Sequence, residues 1–169
     1  MTIHVKESAM QVCIERALPG DAEEILRLQR RAYEGEAEVY RGVLFAPLAE
    51  TVDDVHAKFA EHLILKATCD GRPQIVGSVR LFHQGDTCHL GRLIVEPALQ
   101  NRGIGSRLMH AAEDHVPEAK RFELFTGQHN HRNISFYEKL GYRIFKTVPR
   151  NERLQWVYME KHRGESAGS

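Results

Sequence analysis

The sequence predicts an α/β (α+β) protein built on a mixed, mostly antiparallel central sheet of about six to seven strands, flanked by helices. Three observations carry that expectation. Leu63–Cys69 and Ile75–Phe82 are strand-like runs joined by Asp70-Gly71-Arg72-Pro73, whose residues suit positive φ and fixed φ, so the two runs form a hairpin. His89–Val95 is an apolar run ended by Pro97; after a short loop comes a helical face of Ile104, Leu108, Ala111 and His115. Tyr142–Val148 and Leu154–Met159 close the chain as two strands around Pro149-Arg150-Asn151, with Leu154, Trp156 and Tyr158 alternating in period two.

The remaining elements follow in order. Gln11–Arg16 alternates apolar Val12 and Ile14 with polar neighbours, and Pro19-Gly20-Asp21 turns the chain. Asp21 can cap the next helix, with Glu24 as capping-box partner, and Ile25, Leu28 and Ala32 share one helical face that should end near Gly35. Glu36–Glu50 is broken by Gly42 and Pro47 and reads as loop before an amphipathic helix over Thr51–His62. Phe122–Phe125 is a short strand, followed by a helix around Asn133–Leu140 that stops with Gly141 in the C′ position. The strand–helix–strand order implies parallel pairing there.

A chain of 169 residues is expected to form one domain over residues 1–169, with an ordered core of about 11–162 and loose tails, Gly164–Ser169 among them. Lys plus Arg and Asp plus Glu both number 23, so there is no overall basic field to hold nucleic acid or an anionic membrane surface. Neither partner is expected. Cys13, Cys69 and Cys88 form no CxxC pair and fit no disulfide framework or zinc signature, which suits a reducing cytoplasm. No run approaches the roughly 18 apolar residues of a membrane span.

The segment with most chemical content is Gln100-Asn101-Arg102-Gly103-Ile104-Gly105, placed where a strand hands over to a helix. Such a junction aims backbone N–H groups and the positive end of the helix dipole at one spot. An anion belongs there. Gly103 and Gly105 lack a Cβ, so phosphate oxygens can approach and either glycine can take positive φ, while Arg102 and Arg107 can add charge. A Walker A loop is excluded because Gly105 is followed by Ser106 and Arg107, with no lysine. A dinucleotide fingerprint fails because Leu108 stands where the third glycine would be.

At this point the sequence resembles the GNAT (GCN5-related N-acetyltransferase) family. The pattern of a strand ending in V-x-P, then Q/R-x-x-G-x-G/A, is present as Leu93-Ile94-Val95-Glu96-Pro97 and Gln100 through Gly105. A second family segment runs from Asn130 to Tyr137-Glu138-Lys139-Leu140-Gly141-Tyr142. The resemblance implies a splayed strand pair that binds CoA, with backbone groups around Leu93 and Val95 meeting the pantetheine amides. Gln100, Asn101, Arg102, Gly103, Ile104, Gly105 and Ser106 would cradle the pyrophosphate. Asn130 or Asn133 would bond the pantetheine arm, and the residue pattern does not choose between them.

Tyr137 matches the family tyrosine that lies near the CoA sulfur and protonates the departing thiolate. The implied function is an N-acyltransferase moving acetyl from acetyl-CoA to an amine of an unidentified small molecule or peptide by direct attack. Cys69 and Cys88 have no local base pattern for a covalent route. The base that frees the amine is left among His83, His89, Glu96 and water. His129 and His131 flank Asn130, but their spacing needs further ligands to hold a metal, and none is expected. The acceptor wall is expected from Ala32–His62 and Pro149–Arg153. The alternative is a non-catalytic module that keeps the cradle and senses acyl-CoA or scaffolds a partner. Many family members pair through their terminal strands, so a homodimer is one expectation.

Overall fold

The computed structural model describes residues 9–37 and 46–164. Most of the expected tail segments, and residues 38–45 of the expected Glu36–Glu50 loop, lie outside them. The elements in chain order are β1 (Val12–Arg16), α1 (Ala22–Glu34), α2 (Ala46–Ala49), α3 (Val52–Lys58), β2 (Leu63–Cys69), β3 (Gly77–Gln84), β4 (Thr87–Val95), α4 (Ile104–His115), β5 (Arg121–Gly127), α5 (His131–Lys139), β6 (Arg143–Pro149) and β7 (Gln155–His162). The seven strands form one sheet in the order β1-β2-β3-β4-β5-β7-β6. Every neighbouring pair is antiparallel except β4 and β5, which the crossover through α4 makes parallel. The mixed, mostly antiparallel sheet expected from the sequence is therefore present, with seven strands.

Side-chain alternation sorts the sheet into two faces. Val79, Leu81 and Leu90 share one buried cluster with Ile104, Leu108 and Met109 of α4. Ile64 and Ile94 point the other way, into a second cluster with Ile25, Leu26 and Leu28 of α1 and Val55 of α3. Gly77 allows α4 to lie close: a Cβ there would sit 2.8 Å from Leu108 Cδ1 and 3.2 Å from the carbonyl oxygen of Ile94. α4 buries Ile104, Leu108, Met109 and Ala112, so the apolar face is rotated from the expected one and His115 is exposed.

Four local expectations are corrected. Asp21 stands at the N-cap position of α1 without capping it; its carboxylate accepts from the Leu18 N–H (2.8 Å) and Lys66 Nζ (3.0 Å). Glu24 accepts from the Ile75 N–H (2.8 Å), so both carboxylates tie the helix to the sheet instead of forming a capping box. The capping box occurs at α3, where Thr51 Oγ1 accepts from the Asp54 N–H and Asp54 accepts from the Thr51 N–H. That helix ends at Lys58, short of His62, because Phe59, Ala60 and Glu61 bond back three residues and tighten the chain into turns before β2. Pro47 lies in the short helix α2 near its start, where its missing N–H breaks no helical bond. A two-residue turn at Gly85-Asp86, with Gly85 at φ 61°, joins β3 to β4 and extends both strands.

Candidate active site

Parallel pairing between β4 and β5 covers only Thr87↔Arg121, Cys88↔Phe122 and His89↔Glu123. Beyond those residues the strands diverge. β4 continues to Val95 against β3, and β5 continues to Gly127 against β7, so their facing edges from Leu90 and Leu124 onward share no ladder bonds. The gap opens into a cavity of about 1070 Å³. Leu93, Val95, Gln100, Asn101, Gly103, Ile104, Gly105, Ser106, Asn130, Asn133 and Tyr137 all border it.

The loop between β4 and α4 is shaped by its backbone. Asn101 is at φ 63° and Gly103, the N-cap of α4, at φ 85°; nothing lies within 4 Å of a Cβ built on Gly103. Positive φ at Gly103 lets the chain enter α4 with the first N–H groups unobstructed. Of the two glycines that could take positive φ, Gly103 does and Gly105 does not, since Gly105 sits in α4. A Cβ there would be 3.3 Å from Phe136 Cζ and 3.7 Å from Val95 Cγ2, so this glycine serves the packing of α4 against α5 and β4. Ile104 is core through its side chain, and Arg102 and Arg107 are exposed and do not border the cavity. Gln100 turns back, its Nε2 donating to the Val95 carbonyl at 3.5 Å. Asn101 Oδ1 accepts from Arg132 Nη2 at 3.2 Å, tying the loop to α5.

The two asparagines separate in the structure. Asn130 is the N-cap of α5, where Oδ1 accepts from the Asn133 N–H at 3.1 Å. Asn133 reaches Thr126 Oγ1 on β5 at 3.5 Å. Tyr137 is partly buried between Phe136 (ring centroids 5.2 Å apart) and Tyr142 (6.0 Å). Burial, and then the neighbouring Tyr33 and Glu36, push its hydroxyl well above the usual phenol range, so it is protonated at neutral pH. Tyr142 is a core residue whose hydroxyl donates to Glu113 Oε1 at 2.9 Å.

His83 and His89 do not border the cavity. His83 pairs with Cys88 near the β3–β4 turn, and His89 lies at the closed end, opposite Glu123. Glu96 is paired with Arg31 at 2.8 Å. Glu36 is the carboxylate that the sequence did not single out: it borders the cavity half-buried, and burial raises its pKa against the opposing effects of an Asn130 hydrogen bond and Arg132. Arg92, Phe125, Trp156 and Arg150 also form part of the wall, joining the expected contributions from Ala32, Tyr33 and Pro47. The interruption of an apolar strand by Arg92 was a visible sign; the convergence of the others required the fold. Cys88 is fully buried, and burial pushes its thiol up to about 12, leaving no thiolate near neutrality. Among the described residues no group of three His, Cys, Asp or Glu side chains could hold a metal ion, and no helix is long and apolar enough to cross a membrane.

Residues 22–142 match the model of the acetyltransferase (GNAT) family. The chain belongs to the GNAT family. Relatives include the uncharacterized protein YxbD of Bacillus subtilis (strain 168), 33% identical over 73 residues, 42% of this chain and 45% of that protein. UPF0157 protein YqkA of the same organism is 28% identical over 130 residues, 75% of this chain and 36% of that protein. This GNAT chain thus spans less than half the length of these curated relatives. Among solved structures, the PaiA N-acetyltransferase of Thermoplasma acidophilum in complex with coenzyme A superimposes with a TM-score of 0.77 at 18% identity, covering 90% of this chain and 99% of that one. An aminoglycoside 6'-N-acetyltransferase complexed with coenzyme A gives 0.69 at 20% identity, covering 89% and 96%. At these identities the likeness is one of fold, and it establishes the GNAT architecture for the whole sheet.

Proposed function

We propose that this chain is an acetyl-CoA-dependent N-acyltransferase acting on an amine by direct transfer. The observation that carries the proposal is the continuity of the open β4–β5 edge with the positive-φ loop at the start of α4 and with Tyr137, all around one cavity. These residues fit CoA. The free edges around Leu93 and Val95 suit an amide-bearing arm that adds like a strand, and the N–H groups from Gly103 to Ser106 suit a pyrophosphate. Asn130 and Asn133 border the same space.

Bound acetyl-CoA would supply a thioester whose carbonyl carbon accepts the amine nitrogen. Backbone N–H groups on the open edge of β4 would stabilise charge on the carbonyl oxygen. Tyr137 would give its proton to the sulfur as the C–S bond breaks; burial keeps the phenol protonated for that task. The amine must shed a proton before attack, and Glu36 or water takes it. Glu36 replaces the histidines as a base because it borders the cavity and they do not.

Two measurements test this reading. Acetyl-CoA at millimolar concentration should raise the melting temperature, since a ligand bound only by the native state adds RT ln(1 + [L]/Kd), while NADH and ATP should do so far less. Thiol release should follow when a panel of amines is added. Stabilisation without release from any amine would make the protein an acyl-CoA sensor or scaffold, and no stabilisation would sink both readings. Cytoplasmic location and pairing through the terminal strands are part of the same proposal; fractionation and sedimentation test them.

A further inference from the structure

Among the described residues, the cluster of Arg80, Glu50 and Arg92 on the α1 side of the cavity carries an unbalanced positive charge. In β4, Ile94 pairs with Ser78 and Gly91 with Arg80, so Arg92 and Leu93 together oppose the single residue Val79. This β-bulge places Arg92 at φ 49°, in the left-handed region that residues other than glycine seldom occupy. The extra residue has a definite effect on direction. Leu93 and Val95 fall on the α4 face, packed against that core, whereas Arg92 reaches Glu50 on the α1 face. Arg92 is thus on the opposite side of the sheet from the phosphate-cradling loop.

Glu50 has little capacity left for Arg92. Its Oε1 accepts from Arg80 Nη1 at 2.9 Å, and its Oε2 accepts from Arg80 Nη2 at 2.9 Å and Gln29 Nε2 at 2.6 Å. Arg92 makes one long contact, from Nε to Oε2 at 3.4 Å, and among the described residues that is its only ion-pair partner. Two guanidinium groups and one carboxylate leave a net charge of +1, with Arg80 7% exposed, Glu50 12% and Arg92 24%. The charge that Glu50 does not satisfy is therefore on the guanidinium that borders the cavity.

Resting on the acyltransferase reading, we infer that Arg92 anchors a carboxylate of the acceptor, so that the substrate class is an amine bearing a carboxylate a short distance away, as in an amino acid. A guanidinium fork matches a carboxylate with two parallel bonds, and a bulge that re-aims the side chain toward the acceptor side accounts for the unusual backbone at this position. Arg80, held by Glu50 and Gln29, donates to both oxygens of Glu50 and leaves Arg92 the one long contact.

The experiment compares wild type, Arg92→Gly and Arg92→Lys in initial-rate transfer from acetyl-CoA to each of the twenty amino acids and to the matching amino-acid amides, which keep the amine but lack the carboxylate. Glycine adopts positive φ without strain, and Arg80 and Gln29 still satisfy Glu50, so Arg92→Gly keeps the bulge. Wild type should prefer at least one acid over its amide by about 10- to 100-fold in kcat/KM, the range of a hydrogen bond to a charged group. Arg92→Gly should bring that ratio near one, Arg92→Lys should restore part of it, and the acetyl-CoA melting shift should be the same in all three. Equal use of acids and amides by wild type, transfer only to amines lacking a carboxylate, or a preference that survives in Arg92→Gly would overturn the inference. Absence of both the acetyl-CoA shift and thiol release would instead sink the acyltransferase reading. Melting shifts with the amino acids and amides alone then decide the anchor: a shift by acids that Arg92→Gly loses supports it, and no such shift overturns it.

Discussion

The two ends of the β4–β5 pair are made of the same two strands and behave as opposites. At the closed end the strands are laddered, and Arg121 of β5 braces them against the next strand: it donates to Glu160 Oε2 on β7 and to Glu123 Oε2 on β5, each at 2.6 Å, and reaches Thr87 Oγ1 on β4 at 3.5 Å. At the open end there is no ladder between them; the edges from Leu90 and Leu124 face a cavity. The comparison teaches that one end holds the sheet together so that the other can leave backbone groups free for a ligand. Disturbing the closed end should cost stability and spare ligand binding; disturbing the open end should do the reverse.

The largest expected effect is at the open end. Tyr137→Phe keeps the ring contacts with Phe136 and Tyr142 and removes only the proton donor. Single-turnover transfer with a good acceptor should slow by about 10²–10⁴-fold, with acetyl-CoA affinity and melting temperature close to wild type. Single-turnover kinetics are needed because slow product release could hide the defect. An unchanged rate would remove Tyr137 from the chemistry; a large loss of stability would make its hydroxyl a structural group.

Arg121→Ala is the matching disturbance of the closed end. Glu123 and Glu160, with side chains 15% and 14% exposed, would lose their shared cation. Breaking a fully buried pair costs about 3–5 kcal/mol, and this partly shielded one should cost roughly 2–3 kcal/mol in denaturant unfolding. The acetyl-CoA affinity of the folded fraction should be retained. A variant of normal stability but weak affinity would reverse the assignment of the two ends.

The sequence made one of these ends legible and not the other. The open end could be read because a phosphate-type loop needs residues that are contiguous, and Gln100–Gly105 and Asn130–Tyr142 carry that pattern in short segments. Strand and helix positions were legible for the related reason that period-two and helical apolar spacing are local. The closed-end clamp ties residues 121 and 123 of one strand to residue 160, and the acceptor wall joins residues 36, 92 and 156; no local period makes those long-range links. His83 and His89 stand among the candidate bases, with Glu96 and water, because residue type is visible in a sequence, whereas register, which puts the two histidines away from the cavity, is not. Gly105 reads as part of the phosphate loop because it follows Gly103 in a motif, and its added contact with Phe136, 31 positions further on, becomes visible only in the fold.

The open end also contains an acid-sensitive support. Burial works against ionisation of Glu50, but hydrogen bonds from Arg80 and Gln29 and the charges of Arg80 and Arg92 hold its pKa down to about 2. A carboxylate whose pKa is depressed in the native state adds stability that is fully present above its unfolded value of about 4.3 and is lost as pH falls toward 2. Denaturant unfolding should therefore show a decline between about pH 4 and pH 2 that is shallower in Glu50→Gln. The same slope in both proteins would mean that Glu50 is not held as described. Glu160 at the closed end is also depressed, burial being outweighed by Arg121, so Glu160→Gln should flatten the acid limb as well.

The smallest effects separate the two glycines of the loop. Gly103 is at φ 85° with open space around it, so Gly103→Ala meets no atom but strains the backbone by about 1–2 kcal/mol. It also places a methyl group beside the N–H groups that the phosphate would use, so the acetyl-CoA melting shift should shrink along with the stability. Gly105 lies within the first turn of α4 and shows no positive φ. Alanine there gains up to about 1 kcal/mol of helix propensity, set against a contact 3.3 Å from Phe136 Cζ that the ring must relax by a few tenths of an ångström. The two contributions nearly cancel, so Gly105→Ala should melt within a few degrees of wild type and keep most of its acetyl-CoA shift. Gly105→Val adds branches against Phe136 and Val95 and should cost about 1–3 kcal/mol through overpacking. If Gly105→Ala abolished acetyl-CoA binding while Gly103→Ala left it intact, the phosphate would lie two residues further along than the geometry of Gly103 indicates, and the open end would begin inside α4.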